Sequence, residues 1–155
     1  MTIEIVQIEG VKTVSKPWGE EKWIADGHPK FPYAFKRITL KAGHRSSLQF
    51  HEKKQETNYI LAGSGVLHYS DVPIDVTRYI AGEYTDGEIA SIIDSVEQIP
   101  LQPGMIFHVF PGFVHRVEAM TDLVQVETST IELDDVYRLA DDTLRQDGRI
   151  DSEHN

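Results

Sequence analysis

Four side chains in this sequence are of types that bind metal ions and lie at suggestive spacings. Gln49 and His51 are two residues apart, so in a β-strand both point to the same face, and Glu56 follows after a short break. His115 follows Pro111-Gly112 at the start of a second apolar segment and is the best candidate for a fourth ligand. One amide oxygen, two imidazoles and one carboxylate suit a divalent ion, and they leave coordination positions for water or substrate. We therefore predict a divalent metal site, with zinc favoured over manganese, iron, cobalt or nickel.

The elements that must position these ligands are predicted to be mainly β-strands. Apolar residues recur at strand spacing, and glycine or proline interrupts them at short intervals. The pattern indicates about eight to ten strands, enough for a sandwich or barrel. The turn at 62–65, Ala-Gly-Ser-Gly, predicts a hairpin. A later segment has apolar residues at helical spacings of three and four and predicts a helix over about 134–146.

Composition limits the classes of function. The chain has 155 residues, which is the length of about one domain, and its net charge of −10 disfavours binding to nucleic acid or to an anionic membrane. It has no cysteine, so disulfides, thiolate nucleophiles and Cys-based metal sites are excluded. The first residues show neither a signal-peptide pattern nor an apolar run of membrane-spanning length. We expect a soluble cytoplasmic protein.

We predict one domain over 1–155 with a core at about 16–130, and within this domain the charge is unevenly distributed. Segment 71–97 contains seven acidic residues and one arginine, with Pro73, Gly82 and Gly87 interrupting it, and is predicted to be an inserted loop or hairpin. The region that supplies Gln49, His51 and Glu56 has a slight excess of basic residues instead, so a small phosphorylated substrate is compatible with it.

Two motifs resemble those of the cupin superfamily. The first, G(x)5HxH(x)3–4E(x)6G, fits five residues at every spacing, with a glutamine where the first histidine is usual: Gly43, Gln49, His51, Glu56 and Gly63. The second, G(x)5PxG(x)2H(x)3N, fits three residues, although its proline comes one position late and an alanine replaces the asparagine: Gly104, Gly112 and His115. The resemblance implies an all-β cupin domain, that is, a double-stranded β-helix or jelly-roll barrel, and a homodimer.

A narrower resemblance is to the phosphomannose isomerases, especially the cupin domain of the type II enzymes. It rests on Lys-Pro-Trp-Gly at 16–19, Phe-Lys-Arg-Ile at 35–38, Ser-Leu-Gln-Phe-His at 47–51 and the Asp- and Arg-containing segment at 134–145. It implies a metal-dependent aldose–ketose isomerase such as mannose-6-phosphate isomerase. In that reaction the metal stabilises an enediolate while a proton moves between C1 and C2.

The resemblance also implies roles for nearby cations. Lys54 matches a basic position and is a candidate acid, base or phosphate ligand. Arg138 is a candidate to support proton transfer, and Arg145 to bind the phosphate of the substrate. His108 either lines the pocket or faces solvent. The alternative for both arginines is pairing with neighbouring acidic residues.

Three other functions remain open at this stage. The first is isomerisation of a free sugar such as lyxose or mannose, which would not depend on phosphate. The second is binding of a sugar or nucleotide sugar without turnover. The third, metal-dependent dioxygenation, ranks last, because it usually relies on the histidine that Gln49 replaces.

Overall fold

The computed structural model describes residues 2–154 and shows two antiparallel β-sheets. The six strands of the first sheet, in spatial order, are β1 (Lys12–Lys16), β2 (Gly19–Asp26), β3 (Ala34–Leu40), β10 (Leu123–Ser129), β5 (Glu56–Ala62) and β8 (Ile106–Val109). The five strands of the second sheet are β11 (Tyr137–Ala140), β4 (Leu48–Phe50), β9 (His115–Ala119), β6 (Gly65–Tyr69) and β7 (Glu97–Leu101). A 3₁₀ turn (Ile8–Gly10) precedes β1, and three helices complete the chain: α1 (Val76–Ile80), α2 (Asp86–Ser95) and α3 (Asp151–His154).

The space between the sheets has an apolar end and a polar end. In β3, β5 and β10 alternate residues point inward, as the two-residue period of a strand requires. At one end these residues are apolar, as at Leu40, Ile60 and Leu123, and they pack against the second sheet in one core cluster. At the other end the inward residues are polar, including Lys36, Glu56 and Glu127, and all three are buried. The polar end is where a binding cavity forms.

The predicted all-β jelly-roll architecture is confirmed, but the turn at 62–65 does not make a hairpin. It connects β5 of the first sheet to β6 of the second, and these two strands do not pair. Gly63 lies in this turn at a φ of +84°, and a Cβ atom there would lie 2.0 Å from the backbone oxygen of Asp122. The chain crosses between sheets at a point where only glycine fits.

The helix predicted over 134–146 is not formed, and the prediction is corrected. Residues 137–140 form strand β11, which pairs with β4, and the short C-terminal helix lies at 151–154 instead. The segment pairs with β4, and Tyr137 stacks on Phe50 with ring centroids 5.2 Å apart. These contacts override the helical preference that the apolar spacing indicated. Leu144, the last residue of the predicted apolar face, is 88% exposed and therefore contributes nothing to that face.

The acidic segment 71–97 also differs from prediction, because it contains helices α1 and α2. Thr85 and Glu88 form a capping box at the start of α2, a signal that was present in the sequence. Ile92 and Ile93 of α2 pack against the cluster that contains Phe50 and so cover the outer face of the second sheet. Among residues 2–154, no helix has the length and apolar character needed to cross a membrane.

We predict that Gly63→Ala destabilises the protein far more than Gly43→Ala. Both glycines have positive φ, but a Cβ at Gly43 meets nothing within 4 Å. Gly43→Ala should therefore cost only the left-handed conformation, about 1–2 kcal/mol. Gly63→Ala adds a clash with backbone and should cost about 4 kcal/mol or more. Urea unfolding of the two variants measures this, and equal losses would contradict the close crossing at Gly63.

Candidate metal centre

Three buried side chains from different strands converge at the polar end of the barrel. His51 follows β4, Glu56 begins β5 and His115 begins β9. The Nε2 atom of His51 lies 3.6 Å from Glu56 Oε2, and that of His115 lies 3.4 Å from Glu56 Oε1. One potential ligand atom from each residue lies within 4.8 Å of the other two. Three of the four predicted ligands are thus brought together.

Hydrogen bonds fix both imidazoles with Nε2 facing the cluster. His51 Nδ1 donates to the carbonyl of Asp135 at 2.6 Å, and His115 Nδ1 donates to the carbonyl of Phe113 at 3.0 Å. A carbonyl only accepts, so in the neutral rings each Nε2 carries a lone pair. Both Nε2 atoms are buried and lack a hydrogen-bond partner among the described residues. Two unsatisfied lone pairs beside a carboxylate are what a metal ion requires.

Burial keeps His51 neutral. Loss of solvent lowers the pKa of His51 to about 3, and the charges of Lys54 and His115 act in the same direction. A neutral imidazole is the form that binds metal, so His51 does not have to lose a proton near neutral pH.

The most buried charged side chains of the cavity also favour a cation, while the less buried Lys16 and Arg145 of its lining are paired with acidic residues. Five charged side chains that line it are buried: Glu21, Lys36, Lys54, Glu56 and Glu127. Three of these are carboxylates and two are ammonium groups, so the buried set carries one excess negative charge. Burial and the nearby charge of Glu56 raise the pKa of Glu127 to about 7, which means that a proton partly neutralises the excess. A divalent cation beside Glu56 would supply the missing positive charge.

Lys54 lies in the middle of this set. Its Nζ is 3.1 Å from Glu56 Oε2 and 3.4 Å from Glu127 Oε2. Burial alone would lower the pKa of Lys54, but the carboxylates of Glu127 and Glu56 raise it, so the side chain remains an ammonium.

Gln49 lines the same cavity and pairs across the sheet with His115. Its Oε1 accepts a hydrogen bond of 2.6 Å from Ser47 Oγ, which orients the amide and leaves the second lone pair of that oxygen. Coordination by Gln49 stays a prediction.

Arg138 and Arg145 both line the cavity, in different ways. Arg138 lies in β11 opposite Gln49, and its Nη1 donates to the carbonyls of Gln146 and Gly148. Arg145 pairs with Asp141 at 3.0 Å and with Glu153 at 3.4 Å, so pairing with acidic residues is confirmed for this arginine.

His108 does not line this cavity, so of the two positions predicted for it the structure shows the solvent-facing one, and it is removed as a candidate substrate-binding residue. It is exposed and shares a 2.8 Å hydrogen bond with Thr57 Oγ1. The neighbouring Phe107 takes the inward position of β8 and packs against the core, so the strand alternation turns His108 outward.

Two residues of the site were missed from the sequence. Glu127 follows Gln125 by two residues in β10, and polar residues at alternate positions of a buried strand were a detectable signal. Asp135 contacts the His51 loop from more than 80 residues away along the chain, and no local pattern indicates this contact.

Comparison with known proteins finds structures of similar fold but no relative by sequence. No protein-family model matches the sequence, and no curated protein matches it. Solved structures of similar fold include ectoine synthase from P. lautus, at TM-score 0.61 and 12% identity over 83% of this chain and 78% of that one. The capsular polysaccharide assembling protein CapF from Staphylococcus aureus has TM-score 0.59 and 15% identity over 84% of this chain. L-ribose isomerase from Cellulomonas parahominis has TM-score 0.54 and 17% identity, over 70% of this chain and 58% of that one.

These structural similarities define a fold and do not identify an individual protein. The chain spans only 34% of CapF, and identities this low establish the fold alone. The protein is a jelly-roll barrel with a His–Glu–His cluster suited to a metal ion, and its membership of the cupin superfamily stays a prediction. The phosphomannose isomerase resemblance, the preference for zinc and the homodimer stay predictions.

We predict that His51→Ala and His115→Ala each abolish stoichiometric binding of a divalent metal while the fold is retained. Removing one imidazole takes away one of two Nε2 ligands and should leave the strand pairing intact. Elemental analysis after dialysis against zinc, together with thermal unfolding of the metal-free proteins, measures both effects. His108→Ala is the matched control, because this histidine is exposed and outside the cavity, and it should keep its metal. Unchanged metal content in the first two variants would refute the site.

Proposed function

We propose that this protein is a metal-dependent aldose–ketose isomerase acting on a sugar or sugar phosphate, with mannose 6-phosphate as the leading substrate. The observation that carries the proposal is the His51–Glu56–His115 cluster with the Lys54–Glu127 ion pair beside it in one polar cavity. A divalent ion bound there would polarise the oxygens of the substrate and stabilise developing negative charge.

Isomerisation requires a group that removes a proton from one carbon and returns it to the next. Glu127 suits this role, because a carboxyl group whose pKa is raised to about 7 exchanges protons readily near neutral pH. Lys54 keeps its charge and is placed to donate hydrogen bonds to a substrate oxygen that becomes negative. We therefore assign proton transfer to Glu127 and charge stabilisation to Lys54.

The polar lining of the cavity supports a polyhydroxylated ligand. Asn58 donates to Glu56, and Gln125 donates to Asn58, so hydrogen-bonding groups continue inward from the metal ligands. Trp18 and Phe107 line the same space and offer apolar surface for carbon–hydrogen faces of a sugar. The likeness in fold to L-ribose isomerase supports sugar chemistry on such a barrel.

We predict that Glu127→Gln lowers kcat by about 10²–10⁴-fold with little change in metal content, because it removes a proton carrier and keeps its size. Wild type and variant are assayed on hexose and pentose phosphates and free sugars in D₂O, with deuterium at C2 followed by NMR. Glu118→Gln is the control, since this glutamate pairs with His68 outside the cavity. No interconversion by metal-loaded wild type would overturn the isomerase proposal, and full activity of Glu127→Gln would overturn the assignment of this residue.

The position of Glu153 bears on whether the substrate carries a phosphate. The Glu153 carboxylate lies 2.9 Å from Lys16 Nζ and 3.4 Å from Arg145 Nη1, where two cations of the cavity lining converge. A phosphate bound by Lys16 and Arg145 would have to replace this carboxylate, since both are anions that need the same donors. The second candidate function, isomerisation of an unphosphorylated sugar, is favoured by the fact that both cations are already paired.

We predict that Glu153→Gln lowers KM for a sugar phosphate by about fivefold, the equivalent of about 1 kcal/mol, because it removes a competing anion. KM for the corresponding free sugar should not change. Glu4→Gln is the control, because it removes a carboxylate that pairs with the exposed Lys30, outside the cavity lining. An unchanged KM for the phosphorylated substrate, with turnover of the free sugar, would support the second candidate.

A further inference from the structure

The loop between β4 and β5 carries the predicted ligand His51 together with Lys54, and the ligand Glu56 follows it directly, yet the loop has no strand partner of its own. It spans residues 51–55, and its backbone is outside the sheet hydrogen-bond ladders. Backbone N–H groups in such a loop need acceptors, and a loop without them is free to move. The position of His51 relative to Glu56 therefore depends on what holds this loop.

A single side chain from a distant part of the sequence supplies the acceptor for three of these N–H groups, while that of Gln55 donates to Thr130 Oγ1 at 3.1 Å. The Asp135 carboxylate accepts hydrogen bonds from three successive backbone N–H groups, those of Glu52 at 2.8 Å, Lys53 at 2.7 Å and Lys54 at 2.9 Å. Hydrogen bonds to an ionised acceptor are stronger than bonds between neutral groups.

The backbone of Asp135 also orients the predicted metal ligand His51. Its carbonyl accepts the hydrogen bond from His51 Nδ1 at 2.6 Å, which sets the tautomer and the ring orientation. One residue thus fixes both the loop and the imidazole. His115 Nδ1 donates its equivalent bond to the carbonyl of Phe113, only two residues away in the sequence, and has no such long-range dependence.

Strand register explains how Asp135 reaches this place. Tyr137 of β11 pairs with Phe50 of β4, and Arg138 pairs with Gln49. Extending the same antiparallel register by two residues places Asp135 opposite Glu52. Strand pairing ends there, and the Asp135 side chain takes over from the backbone as acceptor for the loop.

We propose that Asp135 is a positioning residue of the metal centre, which holds the 51–55 loop and the His51 ring in the geometry that binds a divalent ion. This inference rests on the proposed metal site, and it assigns Asp135 no contact with substrate. Outer-shell partners of this kind typically change metal affinity by about 10–100-fold when they are removed.

The test compares Asp135→Asn and Asp135→Ala with Asp134→Asn. Asp134 is the matched control, because it is the adjacent acidic residue, is exposed, and makes no side-chain hydrogen bond to any described residue. Metal-free protein is titrated with Co²⁺ alone and followed by its visible absorption. We expect the Kd for cobalt to rise about 10–100-fold in Asp135→Asn, further in Asp135→Ala, and by less than about twofold in Asp134→Asn.

A second measurement does not depend on the metal. Amide hydrogen exchange by NMR on the metal-free proteins should show faster exchange at Glu52, Lys53 and Lys54 in the Asp135 variants. Amides of the β6–β9 ladder should stay protected, which shows that the barrel is folded. Unchanged cobalt affinity in the Asp135 variants, or equal weakening by Asp134→Asn, would overturn the proposal. If wild type binds no cobalt, the proposed metal-dependent function is wrong, and unchanged exchange would separately refute the role of Asp135 in holding the loop.

Discussion

The interior of this barrel is governed by the cost of burying charged groups. An ion removed from water costs several kcal/mol unless a partner of opposite charge or a set of hydrogen bonds compensates it. The polar end of the barrel contains two ion-paired groups, in which Lys36 faces Glu21, and Lys54 faces both Glu56 and Glu127. Lys54 is a single cation between two carboxylates, and the buried Nε2 atoms of His51 and His115 beside Glu56 have no hydrogen-bond partner among the described residues. A divalent cation satisfies both conditions at once.

The same constraint connects the sheets to the chemistry. Alternate residues of β3, β5 and β10 are apolar at one end and charged at the other, so a single strand contributes both to the core and to the cavity. The core holds the two sheets together, and the distance between the sheets then sets how closely His51 and His115 approach Glu56. Stability and site geometry therefore arise from the same strands, and the site needs few dedicated elements.

Local sequence patterns predicted the features that depend on local spacing. The strand period predicted an all-β sandwich or barrel, and the resemblance of the two glycine-bounded motifs to those of the cupins implied the jelly roll. The same motifs implied a common site for His51, Glu56 and His115, which the structure brings together. The helix predicted over 134–146 was wrong, because the apolar residues there serve pairing with β4 rather than one helical face. Helix α2 was not predicted although its capping box is present in the sequence, because Pro73, Gly82 and Gly87 interrupt the segment and favour a loop.

Long-range contacts account for the rest of what the sequence did not reveal. Asp135 meets residues 52–54 only because β11 pairs with β4, and Glu153 reaches Lys16 only because α3 packs beside β1. Neither contact has a sequence spacing that could indicate it. The sequence left two roles for Arg145, a phosphate ligand or a partner of acidic residues. In the structure Arg145 pairs with Asp141 and Glu153.

The central claim is that one divalent ion is bound through Nε2 of both His51 and His115. Proton NMR of protein loaded with one equivalent of Co²⁺ tests it most directly, because paramagnetic cobalt shifts the protons of its ligands far outside the normal range. Each Nδ1–H donates to a buried carbonyl and should exchange slowly enough to be observed. Binding through both Nε2 atoms predicts two shifted, exchangeable Nδ1–H signals that saturate at one equivalent in the wild type, and the loss of both signals in His51→Ala and in His115→Ala, because neither variant holds the ion stoichiometrically. The absence of such signals, or their persistence in both variants, would contradict it.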